Sequence, residues 1–208
     1  MTHRTLSVGD VILHQDESSQ LFAVIMSGVV KLTQILPDGR EQIVGLLSAA
    51  DSLGNPVSSV SNENAECLTK VNLCCFRRTQ FGSVLRTNPE LEHRLLEKTV
   101  RELKQARQWM TVLGQLGAKE KMARFILWLR KENRNICPHR ARHEPGSIIN
   151  FPLKREEIAS LPGKTIETVS RNISKLKADG IIDLPDAKST ELRNVPRLQQ
   201  TAQTYEDD

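Results

Sequence analysis

The spacing of hydrophobic positions changes twice along this chain, and each change marks a boundary between kinds of structure. From residue 6 to 76 the apolar residues come in short runs broken by turn residues, the pattern of strands. Leu6, Val8, Val11 and Leu13 flank a Gly9-Asp10 turn, and Leu21 to Met26 is separated from Val29 to Ile35 by Ser27-Gly28. Pro37-Asp38-Gly39 has hairpin chemistry, with Pro presetting φ and Gly taking positive φ, and Gln42 to Leu47 is the return strand. The polar stretch Ser58 to Glu66 is expected to be a surface loop, and Cys67 to Phe76 to close the β part. Short strands at this spacing predict a small antiparallel barrel or jelly roll.

From Pro89 to Gly114 the period becomes helical. Leu96, Leu103 and Met110 are seven apart, with Thr99, Ala106 and Leu113 between them at the second seam position. So narrow a seam predicts pairing with a second copy of the chain, and packing against the β part is the alternative. Gly114 and Gly117 end this helix. A second one follows from Ala118 to about Lys131, with Met122, Phe125, Ile126 and Leu129 on its buried stripe. Glu132 to Asn150 is polar and holds Pro138, Pro145 and Gly146, which predicts a loop or a β turn.

The third pattern is a helix-turn-helix. Arg155 to Leu161 reads as a short helical run stopped by Pro162-Gly163, after which Thr165 caps a second helix. Ile166, Val169, Ile173 and Leu176 recur at the spacing of one buried face, and Glu167, Ser170, Arg171 and Ser174 fall opposite. A recognition helix carries its groove-reading side chains there. Gly180 to Leu184 followed by Glu191 to Arg193 predicts a two-stranded wing, and the tail from Gln199 to Asp208 is expected to fray. The fold class expected is α+β: an antiparallel β-roll over 1–86, a dimerisation helix over 87–117 and a winged helix-turn-helix over 118–208.

Charge sharpens this division. The 208 residues carry a net +4; residues 1–118 hold 12 Lys/Arg against 12 Asp/Glu, and residues 119–208 hold 17 against 13. All the excess lies in the half that would meet phosphates. No apolar run reaches the roughly 20 residues of a membrane span, and Met1-Thr2-His3-Arg4 is not followed by the apolar segment of a signal peptide. Four cysteines, Cys67, Cys74, Cys75 and Cys137, are too few for a disulfide framework, so a cytoplasmic location is expected.

A β-roll, a long seam helix and a winged helix-turn-helix, in that order, resemble the CRP/FNR family of bacterial transcription regulators. Glu167-Thr168-Val169-Ser170-Arg171 resembles the E-x-x-S-R signature of the FNR branch, and Ser27-Gly28-Val29-Val30 the family's strand-turn-strand segment. Asp38-Gly39-Arg40, Val44 to Leu47, Cys74 to Arg78 and Ala106 to Met110 are similar to FnrL-type oxygen regulators. The likeness covers about residues 6–198. It implies a cyclic-nucleotide-binding-like jelly roll, a homodimer, double-stranded DNA and RNA polymerase as partners, and no enzymatic activity.

It also implies that Glu167, Ser170 and Arg171 read a TTGAT half-site. The chemistry agrees: Arg pairs bidentately with guanine, a carboxylate accepts from cytosine N4, and a hydroxyl suits either edge. Glu167 also suits the positive end of the helix dipole without any partner. Arg155, Lys164, Thr165, Thr168 and Lys175 are placed for phosphate contacts. Two half-sites need two copies, and Leu96, Leu103, Met110 and Leu113 supply the seam.

The effector departs from the pattern. Cyclic-nucleotide binders of the family carry a G-E-L segment and a later Arg-Ser/Thr pair; here Gly54-Asn55-Pro56 and Ser61-Asn62 stand in those places. The only Arg between Lys31 and Lys70 is Arg40, in the hairpin turn, so cyclic AMP is not the expected ligand. FNR-type sensors hold a [4Fe-4S] cluster through an N-terminal cysteine group and one cysteine of the roll. Cys74 matches the latter, but the former is absent. Either the start lies upstream or this is a relative without a cluster, and the second is the expectation. Without a cluster, one of Cys74 and Cys75 faces the core and the other faces out.

Other departures touch the DNA-binding half. Lys154 replaces the usual Ser or Thr cap at a cost of about 1 kcal/mol, Pro162 and Lys164 replace apolar turn residues, and Lys188 to Glu191 make the wing polar. They leave open a second reading, a sensor with a decayed DNA-binding domain that acts through protein contacts. Gly163-Lys164-Thr165 is no phosphate loop, because the first glycine position is Ile158. Cys137, His139 and His143 lack a fourth ligand for zinc and read as a solvated loop.

Overall fold

The computed structural model describes residues 1–136, 148–150, 166–186 and 189–203. The chain forms two compact units, Met1–Gln115 and Leu116–Asp208.

In the first unit eight strands make two four-stranded antiparallel sheets. They are β1 (Thr2–Leu6), β2 (Val11–Leu13), β3 (Leu21–Ser27), β4 (Val30–Ile35), β5 (Glu41–Leu47), β6 (Ser52–Leu53), β7 (Asn64–Cys67) and β8 (Val71–Arg77). One sheet runs β1-β8-β3-β6 and the other β2-β7-β4-β5. Alternate residues of both turn inward. Ala23, Ile25, Leu73 and Cys75 of the first sheet meet Leu13, Val30, Ala65 and Cys67 of the second in one core. The jelly-roll expectation is thereby met.

Turn glycines hold the roll together by backbone contact. Gly28 has φ +99°, and a Cβ there would lie 2.4 Å from the Lys70 carbonyl oxygen. Gly54 has φ +85°, and its Cβ would meet the Leu21 carbonyl oxygen at 2.3 Å. Only glycine permits so close an approach in the left-handed region.

The β half contains one strand that its polarity hides. Ser58 to Glu66 is not all loop, because Asn64–Cys67 lies between β2 and β4. Its inward residues, Ala65 and Cys67, are small, while Glu66 on the other face pairs with buried Lys31 at 3.0 Å.

Two helices complete the unit. In α1 (Arg78–Thr87), Phe81 stacks on Phe22 at 4.0 Å between ring centroids and tilts against Phe76 at 5.6 Å. Phe22 and Phe76 are cross-strand partners, so α1 covers the outer face of the first sheet. α2 (Pro89–Gln115) is 27 residues long and runs past Gly114. Lys98 on α2 donates to the Ala50 carbonyl and sits 3.7 Å from Asp51, which turns that side of the helix toward the roll. Leu103 and Met110 stay exposed, Leu96 is exposed too but borders the space between α2 and the roll, and the side chain of Leu113 lies outside the described residues.

The second unit holds α3 (Ala118–Ile136), β9 (Ile148–Asn150), α4 (Ile166–Ala178), β10 (Ile182–Asp186), β11 (Ser189–Leu192) and α5 (Val195–Thr201). Met122, Phe125, Ile126 and Leu129 of α3 are buried as their spacing predicts. Three expectations are corrected. The wing sheet has three strands in the order β10-β11-β9, because Ile148–Asn150 pairs with Ser189–Glu191. α3 extends beyond Lys131 to Ile136. Gln199 to Thr201 belong to α5, whose buried Leu198, with buried Ala202 just beyond its end, ties that segment to the unit.

Candidate nucleic-acid interface and the cavity of the roll

α4 has one inward face. Val169, Ile173 and Leu176 are buried, and Asn172 beside them donates its side-chain amide to the Thr168 carbonyl at 2.7 Å. The C-terminus is closed by a Schellman motif. Gly180 takes φ +66°, its N–H donates to the Lys177 carbonyl at 2.9 Å, and the Ile181 N–H donates to the Leu176 carbonyl at 3.0 Å. Leu176 and Ile181 are both buried, the apolar contact that goes with that cap.

Ion pairs pin the same end. Lys119 of α3 binds the Asp179 carboxylate, and Arg197 of α5 donates to the Asp179 carbonyl at 2.9 Å. The hydrogen bond from Lys119 holds the Asp179 carboxyl below the usual carboxylate range. Lys177 binds Asp183 at 2.9 Å and lowers its pKa in the same way, and Arg193 sits 2.8 Å from Glu191. These pairings were not legible in the sequence, where Lys119, Lys177 and Arg193 look like any other basic residues.

The outward face is left open. Glu167 and Arg171 are exposed one turn apart, with Ser170 half-buried between them. Lys175 is exposed a further turn along, and Thr168 is half-buried. Among the described residues, no ion pair or side-chain hydrogen bond engages Glu167, Arg171 or Lys175, unlike Lys177 and Arg193. Arg155, Lys164 and Thr165 lie outside the described residues, as do Lys154, Pro162, Cys137, His139 and His143.

In the first unit a cavity of about 880 Å³ opens between the roll and α2. Gly54, Asn55, Ser61 and Asn62 line it, as do Leu95, Leu96, Thr99 and Glu102 of α2. Among the described residues no Lys or Arg side chain lines it, and His93 is its one basic group, whereas Glu63, Glu92 and Glu102 do line it. Burial raises the Glu63 and Glu102 carboxyls above their usual range, Glu102 despite Lys98 beside it.

The cysteines differ from the expectation that one faces out. Cys75 lies in the core, and Cys74, on the sheet face that α1 covers, is buried too. Burial pushes the Cys67 thiol up to about 11 and raises Cys75 as well, the reverse of what a thiolate ligand requires. Among the described residues no three His, Cys, Asp or Glu side chains gather as a metal site, so those present do not fit a [4Fe-4S] cluster.

The sequence matches the cyclic nucleotide-binding domain over residues 3–88 and the Crp-like helix-turn-helix domain over residues 120–201. It is 34% identical to the transcriptional activator protein FnrL of Cereibacter sphaeroides over 201 residues, 96% of this chain and 80% of that protein. The chain belongs to the CRP/FNR family. The nitrogen fixation regulation protein FixK of Bradyrhizobium diazoefficiens is 36% identical over 176 residues, 85% of this chain and 72% of that one. The structure of FixK2 from Bradyrhizobium japonicum superposes with a TM-score of 0.84 at 25% identity, covering 100% of this chain and 98% of the other. This member of the family is therefore a DNA-binding transcription regulator and not an enzyme. Among the described residues, no helix is long and apolar enough to cross a membrane. A cyclic nucleotide, which the first domain's family implies, does not fit the cavity, because among the described residues its phosphodiester would meet carboxylates and no Lys or Arg, and His93, the basic residue of the lining, already lies 3.4 Å from Glu97.

Proposed function

We propose that this regulator binds a TTGAT-N4-ATCAA palindrome as a cytoplasmic homodimer and activates transcription through RNA polymerase. One observation carries the reading: near the N-terminus of α4, Glu167 and Arg171 stand exposed on the face opposite its buried stripe, with no ion pair to either among the described residues. Arg171 reads guanine, Glu167 accepts from cytosine and Ser170 adapts between them. Thr168, Lys175, Arg155, Lys164 and Thr165 hold phosphates and set the register. Residues 1–86 serve as sensor, 87–117 as dimerisation helix and 118–208 as DNA-binding domain. The seam of Leu96, Leu103, Met110 and Leu113 brings two copies to half-sites about one helical turn apart.

A decayed DNA-binding domain is disfavoured by the packing of α4. A helix freed from function would not be expected to keep both a Schellman cap and ion pairs at its end. Titration of palindromic and random duplexes at fixed salt tests the proposal. Arg171→Ala should lose about 1–3 kcal/mol of discrimination at the half-site guanine, and Lys175→Ala should weaken both duplexes alike. Equal loss on both duplexes for Arg171→Ala would refute the base-reading role.

A further inference from the structure

We propose that the cavity beneath α2 binds a small organic cation with an apolar body, its ammonium group held by Glu63. Leu13, Leu21, Leu32 and Leu53 supply apolar wall, and Ser59 and Ser61 supply hydroxyls. At about 880 Å³ the space is of the size that encloses organic ligands. Glu63 is half-buried on this wall, and among the described residues no ion pair or side-chain hydrogen bond engages its carboxylate. Burial alone raises its pKa, so its charge is held there at a cost that a bound cation would offset. Glu102 differs, because Lys98 already lies 3.7 Å from it. Glu92, also on the wall, is exposed to solvent, so Glu63 is the half-buried carboxylate of the lining with no ion pair among the described residues, and with apolar wall and hydroxyls it selects an amphipathic cation. Together they disfavour an anion of the same shape, including a cyclic nucleotide.

This inference does not rest on the DNA-reading proposal, since every residue it uses lies in the first unit. The test is calorimetric titration of the full chain at neutral pH with hexylamine, hexanol, hexanoate and cyclic AMP, which separate head-group charge from apolar body. Hexylammonium is expected to bind about tenfold more tightly than hexanol, and hexanoate and cyclic AMP not to bind measurably. Glu63→Gln should bring hexylammonium down to the level of hexanol and leave hexanol unchanged, while Glu63→Asp keeps the preference. Equal binding of amine and alcohol, tighter binding of hexanoate or cyclic AMP, no binding of the amine, or an unchanged preference in Glu63→Gln would each overturn it.

Discussion

Leu103→Ala isolates the seam from the rest of the fold. In the single chain Leu103 is 50% exposed, so removing its side chain opens no hole in the core. Fully burying a leucine is worth about 1.5–3 kcal/mol, so half of that, roughly 0.8–1.5 kcal/mol, remains to be gained when a partner covers it. A twofold axis uses the residue twice. A homodimer paired through this seam, as proposed, should therefore lose about 2 kcal/mol, which weakens its dissociation constant about 30-fold. Sedimentation equilibrium over a range of protein concentrations measures that constant directly. Thermal unfolding of the monomeric fraction, unchanged from the parent, excludes a folding defect. A dissociation constant within about threefold of the parent's, with the fold intact, would show that the seam helix pairs elsewhere or not at all.

Leu176→Ala should cost the second unit about 2–5 kcal/mol, since it empties a fully buried site beneath the recognition face and the apolar half of the cap. Urea unfolding in a Trp109→Phe background, in which Trp128 of α3 is the remaining tryptophan, reads that unit alone. Acid stability should depend on Asp183. Lys177 holds its carboxyl below the ordinary 3.8, so the folded unit binds that proton more weakly than the unfolded chain does. The contribution is complete above about that value and disappears as pH falls through the lower folded value. Asp183→Asn should flatten the decline of the Trp128 urea midpoint between pH 5 and 2, and an unchanged slope would remove Asp183 as its source.

The polar strand β7 shows where periodicity failed. Asn64 to Cys67 alternates correctly, but its inward residues are small and its outward Glu66 is paired only across the sheet with Lys31. Register, which is a non-local fact, makes it a strand. Ile148–Asn150 is the same case, since three residues carry no readable period and pairing with β11 defines them. Gln199 to Thr201 looked like fraying tail because the apolar anchors there, Leu198 and Ala202, are few. By contrast the buried face of α4 was legible, because Val169, Ile173 and Leu176 form one stripe, while the side chain of Ile166 and the Thr165 cap lie outside the described residues.

What the sequence determined alone was whatever depends on residues close together along the chain. The hairpin chemistry, the seven-residue seam and the face of α4 that carries Glu167, Ser170 and Arg171 all follow from local spacing and backbone preference. Only the tertiary structure decided which charges are spent within the protein and which remain for partners. Lys119, Lys177 and Arg193 are neutralised by carboxylates brought to them by folding, whereas among the described residues no ion pair engages Arg171 or Lys175. The absence of a cation near Ser61-Asn62 could be read from the chain, but the collection of Glu63, Glu92 and Glu102 around one cavity could not. Coulombic energy depends on distance and burial, and neither exists until strands and helices distant in sequence have packed.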